Sequence, residues 1–239
     1  MSAFVSFAST EGCYLLTDGA VWRAGDPRLT EVRRKVWTAR TVPVAITSKG
    51  HADDGQEAAI EMCDLADRMG VQAFYDHSPH IANSFAERWG VRDGFERVQF
   101  HVSVFLPDGI GGAHFGFKSW ADGIQYGDPA NRSVAKMAPY DLCVCNSPLY
   151  YSGTVLDVAS FKARGLIYAG DESVERYARR AGLEMMEEMR RKAATTLDGE
   201  VGFIVGGQCD FTSITLAGCK TNTLRTWPDK IGEQIDPFK

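Results

Sequence analysis

The chain opens on two runs rich in aromatic and aliphatic residues, Ala3–Phe7 and Cys13–Thr17, separated by Ser9-Thr10-Glu11-Gly12. Apolar runs joined by turn residues predict a β-hairpin. Strand character continues through Val36–Ile46 and is broken by Pro43. From Gln56 to Met69 the period changes: Ala59, Ile60, Cys63, Leu65, Ala66 and Met69 recur at helical spacing, and Gly70 stands where a left-handed stop belongs. Ile81–Trp89, again followed by glycine, predicts a second helix.

Strand patterns return in the centre. Arg97–Leu106 and Ala113–Lys118 flank the turn-rich PDGIGG, and Tyr140–Cys145 follows a polar loop containing Asp128-Pro129. A long amphipathic helix is expected over Ser173–Thr195, with Val174, Tyr177, Ala178, Ala181, Met185, Met186 and Met189 on one side. The methionine stripe reads as core packing or as a subunit contact. Val201–Val205 and Ser213–Leu216 close the chain as strands, leaving 220–239 as a C-terminal surface extension. This order predicts an α+β fold with helices on the outer faces of two stacked sheets. Gly109-Ile110-Gly111-Gly112 lies between strand candidates, so it reads as a turn and not as a dinucleotide fingerprint.

Length and charge narrow the functional classes. The 239 residues, 44% hydrophobic and 24% charged, suit one soluble domain over 1–239 with a substantial core. A net charge of −5 with scattered basic residues offers no extended phosphate-binding face, so nucleic acid is not expected as a partner. The start lacks a basic leader followed by an apolar core, and no run is long enough to cross a bilayer. The expectation is a cytoplasmic protein without a membrane partner. Cys13, Cys63, Cys143, Cys145, Cys209 and Cys219 then read as buried free thiols. No CxxC pair suggests zinc, and Pro79 argues against a regular helix carrying His77 and His80 as ligands. No metal or organic cofactor is expected.

Ser2, Asp18 and Lys35 supply the sharpest chemistry. Removal of the initiator methionine would give Ser2 a hydroxyl and a free α-amine on one skeleton, a nucleophile with its own base. Taken singly, Asp18 could cap a turn and Lys35 could be a surface lysine beside two arginines. Their joint spacing with Ser2 is what singles them out. His51 reads as an exposed loop residue or a substrate contact, and His101 and His114 as partnered strand residues. A serine–histidine–aspartate triad lacks its G-x-S-x-G elbow.

The segments EGCYLLTDGAVW, RRKVW and VPVAITSKGHADD, the last leading into an apolar helix, resemble the N-terminal third of proteasome-type β subunits and the bacterial HslV peptidase. These belong to the N-terminal nucleophile (Ntn) hydrolases. The resemblance implies a four-layer αββα sandwich, two stacked, mainly antiparallel sheets flanked by helices. It implies that Ser2 attacks, that Asp18 and Lys35 tune it, and that amides around Lys49 and Gly50 hold the oxyanion. Ala52-Asp53 falls where the family has its Ala-Asp pair, and the family's supporting residues near the nucleophile would fall at about Thr195 and Asp198. Peptides or small amides are the implied substrates, acted on within a ring or other homo-oligomer. A catalytically inactive structural or assembly subunit is the alternative, as among the non-catalytic α-type subunits.

Overall fold

The computed structural model describes residues 3–23, 26–90, 98–118, 125–127, 134–136, 143–145, 149–152, 158–195 and 201–239. Ser2, Arg97, Asp128-Pro129, residues 140–142 and Asp198 lie outside the described residues. The opening alternation forms β1 (Phe4–Ser9) and β2 (Gly12–Asp18), an antiparallel pair with Phe4 opposite Thr17. A ribbon of β3 (Ala20–Arg23) and β4 (Asp26–Val32) follows, then β5 (Val36–Thr38) and β6 (Val44–Lys49) on either side of Pro43. Helix α1 (Ala52–Met69) ends at Gly70, whose φ of 82° is the expected left-handed stop. Next come α2 (Val71–Asp76) and α3 (Ser78–Gly90). His77 caps the end of α2, and α3 begins at Ser78 with Pro79 in its first turn, where no intrahelical donor is lost, so His77 and His80 do not share one regular helix.

The remaining elements are β7 (Gln99–Leu106), β8 (Gly111–Lys118), β9 (Gln125–Gly127), β10 (Val134–Lys136), β11 (Cys143–Cys145), β12 (Leu149–Ser152) and α4 (Val158–Ala163). Helix α5 (Val174–Arg190) is capped by Ser173, whose Oγ accepts from the Arg176 N–H at 3.3 Å. It stops short of the predicted Thr195, which lies in β13 (Ala194–Thr195) paired with β14 (Val201–Gly202). The chain closes with β15 (Gln208–Thr215) and β16 (Gly218–Thr226).

Two five-stranded antiparallel sheets organise these elements, in orders β12-β1-β2-β15-β16 and β11-β8-β7-β6-β5. Between them pack Phe4, Cys13, Leu15, Val36, Ala45 and Ile214. The Cys13 thiol donates across the gap to the carbonyls of Val104 and Ala113 at 3.4 and 3.3 Å. Gly112 is required at this crossing, because a Cβ there would run into the Gly12 backbone.

The expected four-layer αββα sandwich is corrected by this architecture. Antiparallel sheet dominates, with sixteen strands against five helices among the described residues, and three strand pairs form separate two-stranded ribbons. Helices are few, and α2 and α4 are only 6 residues each. The physical reason is that segments with no assigned element pair with each other: Ala20 opposes Val32 and Trp22 opposes Leu29 in a ribbon whose register slips would mask period-two alternation.

Helix α5 packs on β1, β2 and β15, and its methionines are buried there with Phe7, Leu16 and Phe211. Gly182 lets the helix approach: a Cβ there would lie 2.5 Å from Leu16 Cδ1 and 3.2 Å from Phe7 Cε2. Gly182→Ala is therefore expected to destabilise by about 1–2 kcal/mol in urea unfolding, overpacking outweighing the gain in helix propensity.

Residues 220–239 differ from the expected surface extension. Their first part completes edge strand β16, and Trp227 and Ile235 are buried. Asp229 receives both terminal nitrogens of Arg190 at 2.8 and 2.6 Å and the Gly207 N–H at 2.7 Å. Arg190 also donates to Val205 O at 2.9 Å. Both partners are almost inaccessible, so Arg190→Met is expected to destabilise by about 3 kcal/mol, because a carboxylate stays buried with one donor left. Thermal or urea unfolding checks this. A change under 1 kcal/mol would mean the tail detaches readily.

Candidate functional site

Asp18 ends β2, and its carboxylate is buried at the rim of the first sheet. Oδ1 accepts from the Ala3 N–H at 2.9 Å and Oδ2 from the Ala20 N–H at 3.1 Å. Lys35 Nζ donates to both oxygens, at 3.0 and 3.1 Å. The Asp18 N–H returns a hydrogen bond to Ala3 O at 3.2 Å, extending the β1–β2 ladder by one residue. Ala3, fifteen residues from Asp18, reaches it because the hairpin folds the chain start onto the end of β2.

Lys35 is brought there by the second sheet. It precedes β5, whose Val36 opposes Thr47 of β6, and the Thr47 hydroxyl donates to Lys35 O at 2.7 Å. Only 5% of Lys35 is exposed. Burial pushes its ammonium below the ordinary lysine range, while the Asp18 charge and hydrogen bonds oppose that shift. The result is a compact cation facing a carboxylate next to the first described residue.

Lys49 and Gly50 follow Thr47 on β6 and the turn after it. Gly50 has φ of 129°, in the region that favours glycine, and the turn leads into α1 through His51. His51 Nδ1 lies 2.9 Å from Asp54 Oδ2. Arg33 ties the strand side to this helix start through Asp53 at 2.8 Å. The structure therefore gathers Ala3, Asp18 and Lys35 directly, and places Lys49 and Gly50 at the adjoining strand end. Ser2 and Asp198 are outside the described residues, and Thr195 lies in ribbon β13–β14.

Asp210 escaped the sequence reading. It is 1% exposed on β15, opposite Thr17, with Oδ1 accepting from Thr223 Oγ1 at 2.6 Å and Oδ2 from Gln208 Nε2 at 2.8 Å. Arg34 Nε lies 3.5 Å from it. An aspartate inside the otherwise apolar and hydroxyl run CDFTSIT was the available signal.

Other candidates resolve differently. His101 and His114 are buried side by side on β7 and β8, with ring centroids 5.3 Å apart, and His101 Nε2 lies 3.1 Å from Ser103 Oγ. His77 and His80 are exposed along a groove of about 430 Å³ between α1 and α3. No group of three or more metal-binding side chains forms among the described residues. Cys13, Cys63, Cys209 and Cys219 are free thiols, and burial pushes Cys13 up to about 12, which suits packing and not nucleophilic attack. Among the described residues no helix is long and apolar enough to cross a membrane. No protein-family model matches this chain and no curated protein matches it, so the functional reading rests on the site itself.

Proposed function

We propose that this chain is an N-terminal nucleophile hydrolase that cleaves peptide or other amide bonds, with Ser2 as nucleophile once whatever precedes it is removed. One observation carries the reading. The Ala3 nitrogen, the atom that bears residue 2, donates to the same Asp18 oxygen that Lys35 Nζ contacts, at 2.9 and 3.0 Å.

The chemistry follows from these groups. A positive Lys35 beside the nucleophile favours the alkoxide, and the Ser2 α-amine takes the hydroxyl proton. Oγ attacks the scissile carbonyl, and amides of the turn at Lys49 and Gly50 stabilise the oxyanion. The leaving amine departs with the proton held by the α-amine, and water then hydrolyses the ester. Asp18 keeps Lys35 charged and anchors the chain start. On this reading the protein works in the cytoplasm, enclosed in a ring or other homo-oligomer.

A second reading, a catalytically inactive assembly subunit, is favoured by a different observation. Among the described residues the four hydrogen bonds to Asp18 come from inside the fold, as a structural clamp requires. Incubation with an amide-mimicking electrophile separates the two, with peptide mapping of the adduct and intact mass of the processed chain. Stoichiometric modification of Ser2 with a free amine supports the hydrolase. Absence of any adduct on correctly processed chains would move the assignment to the assembly subunit.

A further inference from the structure

Among the described residues, the charged side chains around the candidate site are paired with one exception. Lys35 has Asp18 at 3.0 Å, Arg33 has Asp53 at 2.8 Å, Arg34 has Asp210 at 3.5 Å and His51 has Asp54 at 2.9 Å. Lys49 makes no hydrogen bond or ion pair among the described residues, although it is partly buried at the end of β6. Burial alone pushes its ammonium below the ordinary lysine range. A desolvated cation without a counter-charge is unfavourable in the free protein, and an anion seated against it removes that penalty.

The strand sets its direction. Ala45 packs between the sheets with Phe4, Cys13 and Leu15, whereas Val44 and Ile46 pack with α1. Side chains alternate along β6, so Thr47 and Lys49 share the face of Ala45 and look toward the first sheet. From the opposite sheet Thr17, on the same face of β2 as Leu15, turns a buried Oγ1 into that gap, and it has no hydrogen-bond partner among the described residues. A cation and a hydroxyl, neither with a partner among the described residues, thus face the space between the two sheets from opposite sides.

Resting on the hydrolase reading, we infer that the substrate carries a carboxylate on the acyl side of the scissile amide and that the Lys49 ammonium binds it. The acyl side is chosen because the amides beside Lys49 are those assigned to the scissile carbonyl oxygen. The acyl group stays on Ser2 as the ester with its carbonyl oxygen on that turn, whereas the amine leaves, so the acyl group is the part of the substrate assigned to Lys49. Lys49 would act as a specificity residue through its side chain and as part of the oxyanion turn through its backbone.

Paired fluorogenic substrates test this: acetyl-Ala-Ala-Glu and acetyl-Ala-Ala-Gln amides of aminomethylcoumarin, with wild type, Lys49→Gln and Ser2→Ala. The glutamate substrate is expected to be preferred at least about tenfold in kcat/KM, the size of a charge-assisted contact. In Lys49→Gln the ratio should fall to about one, whatever happens to the absolute rates. Ser2-dependent turnover with equal kcat/KM in wild type overturns the inference and leaves the hydrolase reading standing. If neither amide is cleaved and Ser2 takes no electrophile, the hydrolase reading fails instead. Titration calorimetry with N-acetylglutamate and N-acetylglutamine then decides the anion site. Tighter binding of the glutamate, lost in Lys49→Gln, supports it, and equal or absent binding overturns it.

Discussion

Ser2→Ala is expected to lower amide turnover by on the order of 10⁴-fold or more, because removing the nucleophile of a covalent mechanism leaves only binding and oxyanion stabilisation. Alanine keeps the α-amine and the peptide link to Ala3, whose N–H remains on Asp18. The loss would therefore isolate the hydroxyl and not the architecture of the chain start. The assay is hydrolysis of a fluorogenic peptide amide by protein whose intact mass shows Ser2 at the N-terminus. Ser2→Thr should retain measurable turnover, since threonine presents the same hydroxyl with a stiffer rotamer. Unchanged turnover in Ser2→Ala removes Ser2 as nucleophile.

Lys35→Met is expected to reduce stability by about 3–5 kcal/mol and to abolish turnover, the first because a buried carboxylate loses its charged partner. After substitution Asp18 keeps, among the described residues, the Ala3 and Ala20 N–H donors. Asp18→Asn combined with Lys35→Met should recover part of the stability but none of the activity, which separates the clamp from the chemistry. Equal stability of wild type and Lys35→Met in urea would contradict the buried-pair reading.

The same lysine predicts a pH signature. Its folded pKa is depressed, so below about 10.4, the unfolded lysine value, there is a window in which the unfolded chain binds a proton that the native chain does not. Stability from Lys35 therefore rises with pH through that window. Cys13 and Tyr14, both raised to about 12, act oppositely, since they ionise first in the unfolded chain. The readout is thus the stability of wild type minus that of Lys35→Met, which should widen as pH rises toward about 10.4, because the burial penalty on the charged lysine is unique to wild type and fades as Lys35 deprotonates.

Particular elements show where sequence reasoning reached and where it stopped. The hairpin β1–β2, the glycine stop of α1 and the buried face of α5 were legible, since each depends on residues within a few positions of one another. Ribbon β3–β4 was not, because Asp26-Pro27 and two register slips hide its alternation. The tail was misread for another reason: Asp229 looks like a surface charge until Arg190, 39 residues earlier, is placed beside it.

By itself the sequence determined the local grammar of this protein: strand and helix periods, turns, caps, and the residue types able to support an N-terminal nucleophile. Only the tertiary structure decided that antiparallel sheet would prevail over the layered sandwich, because pairing partners such as β2 and β15 are far apart along the chain. It likewise decided that Asp18 and Lys35 would share a buried bond while Lys49 has no counter-charge among the described residues. Burial and pairing are set by the packing of two sheets, and no single segment carries the information for a gap that forms between them.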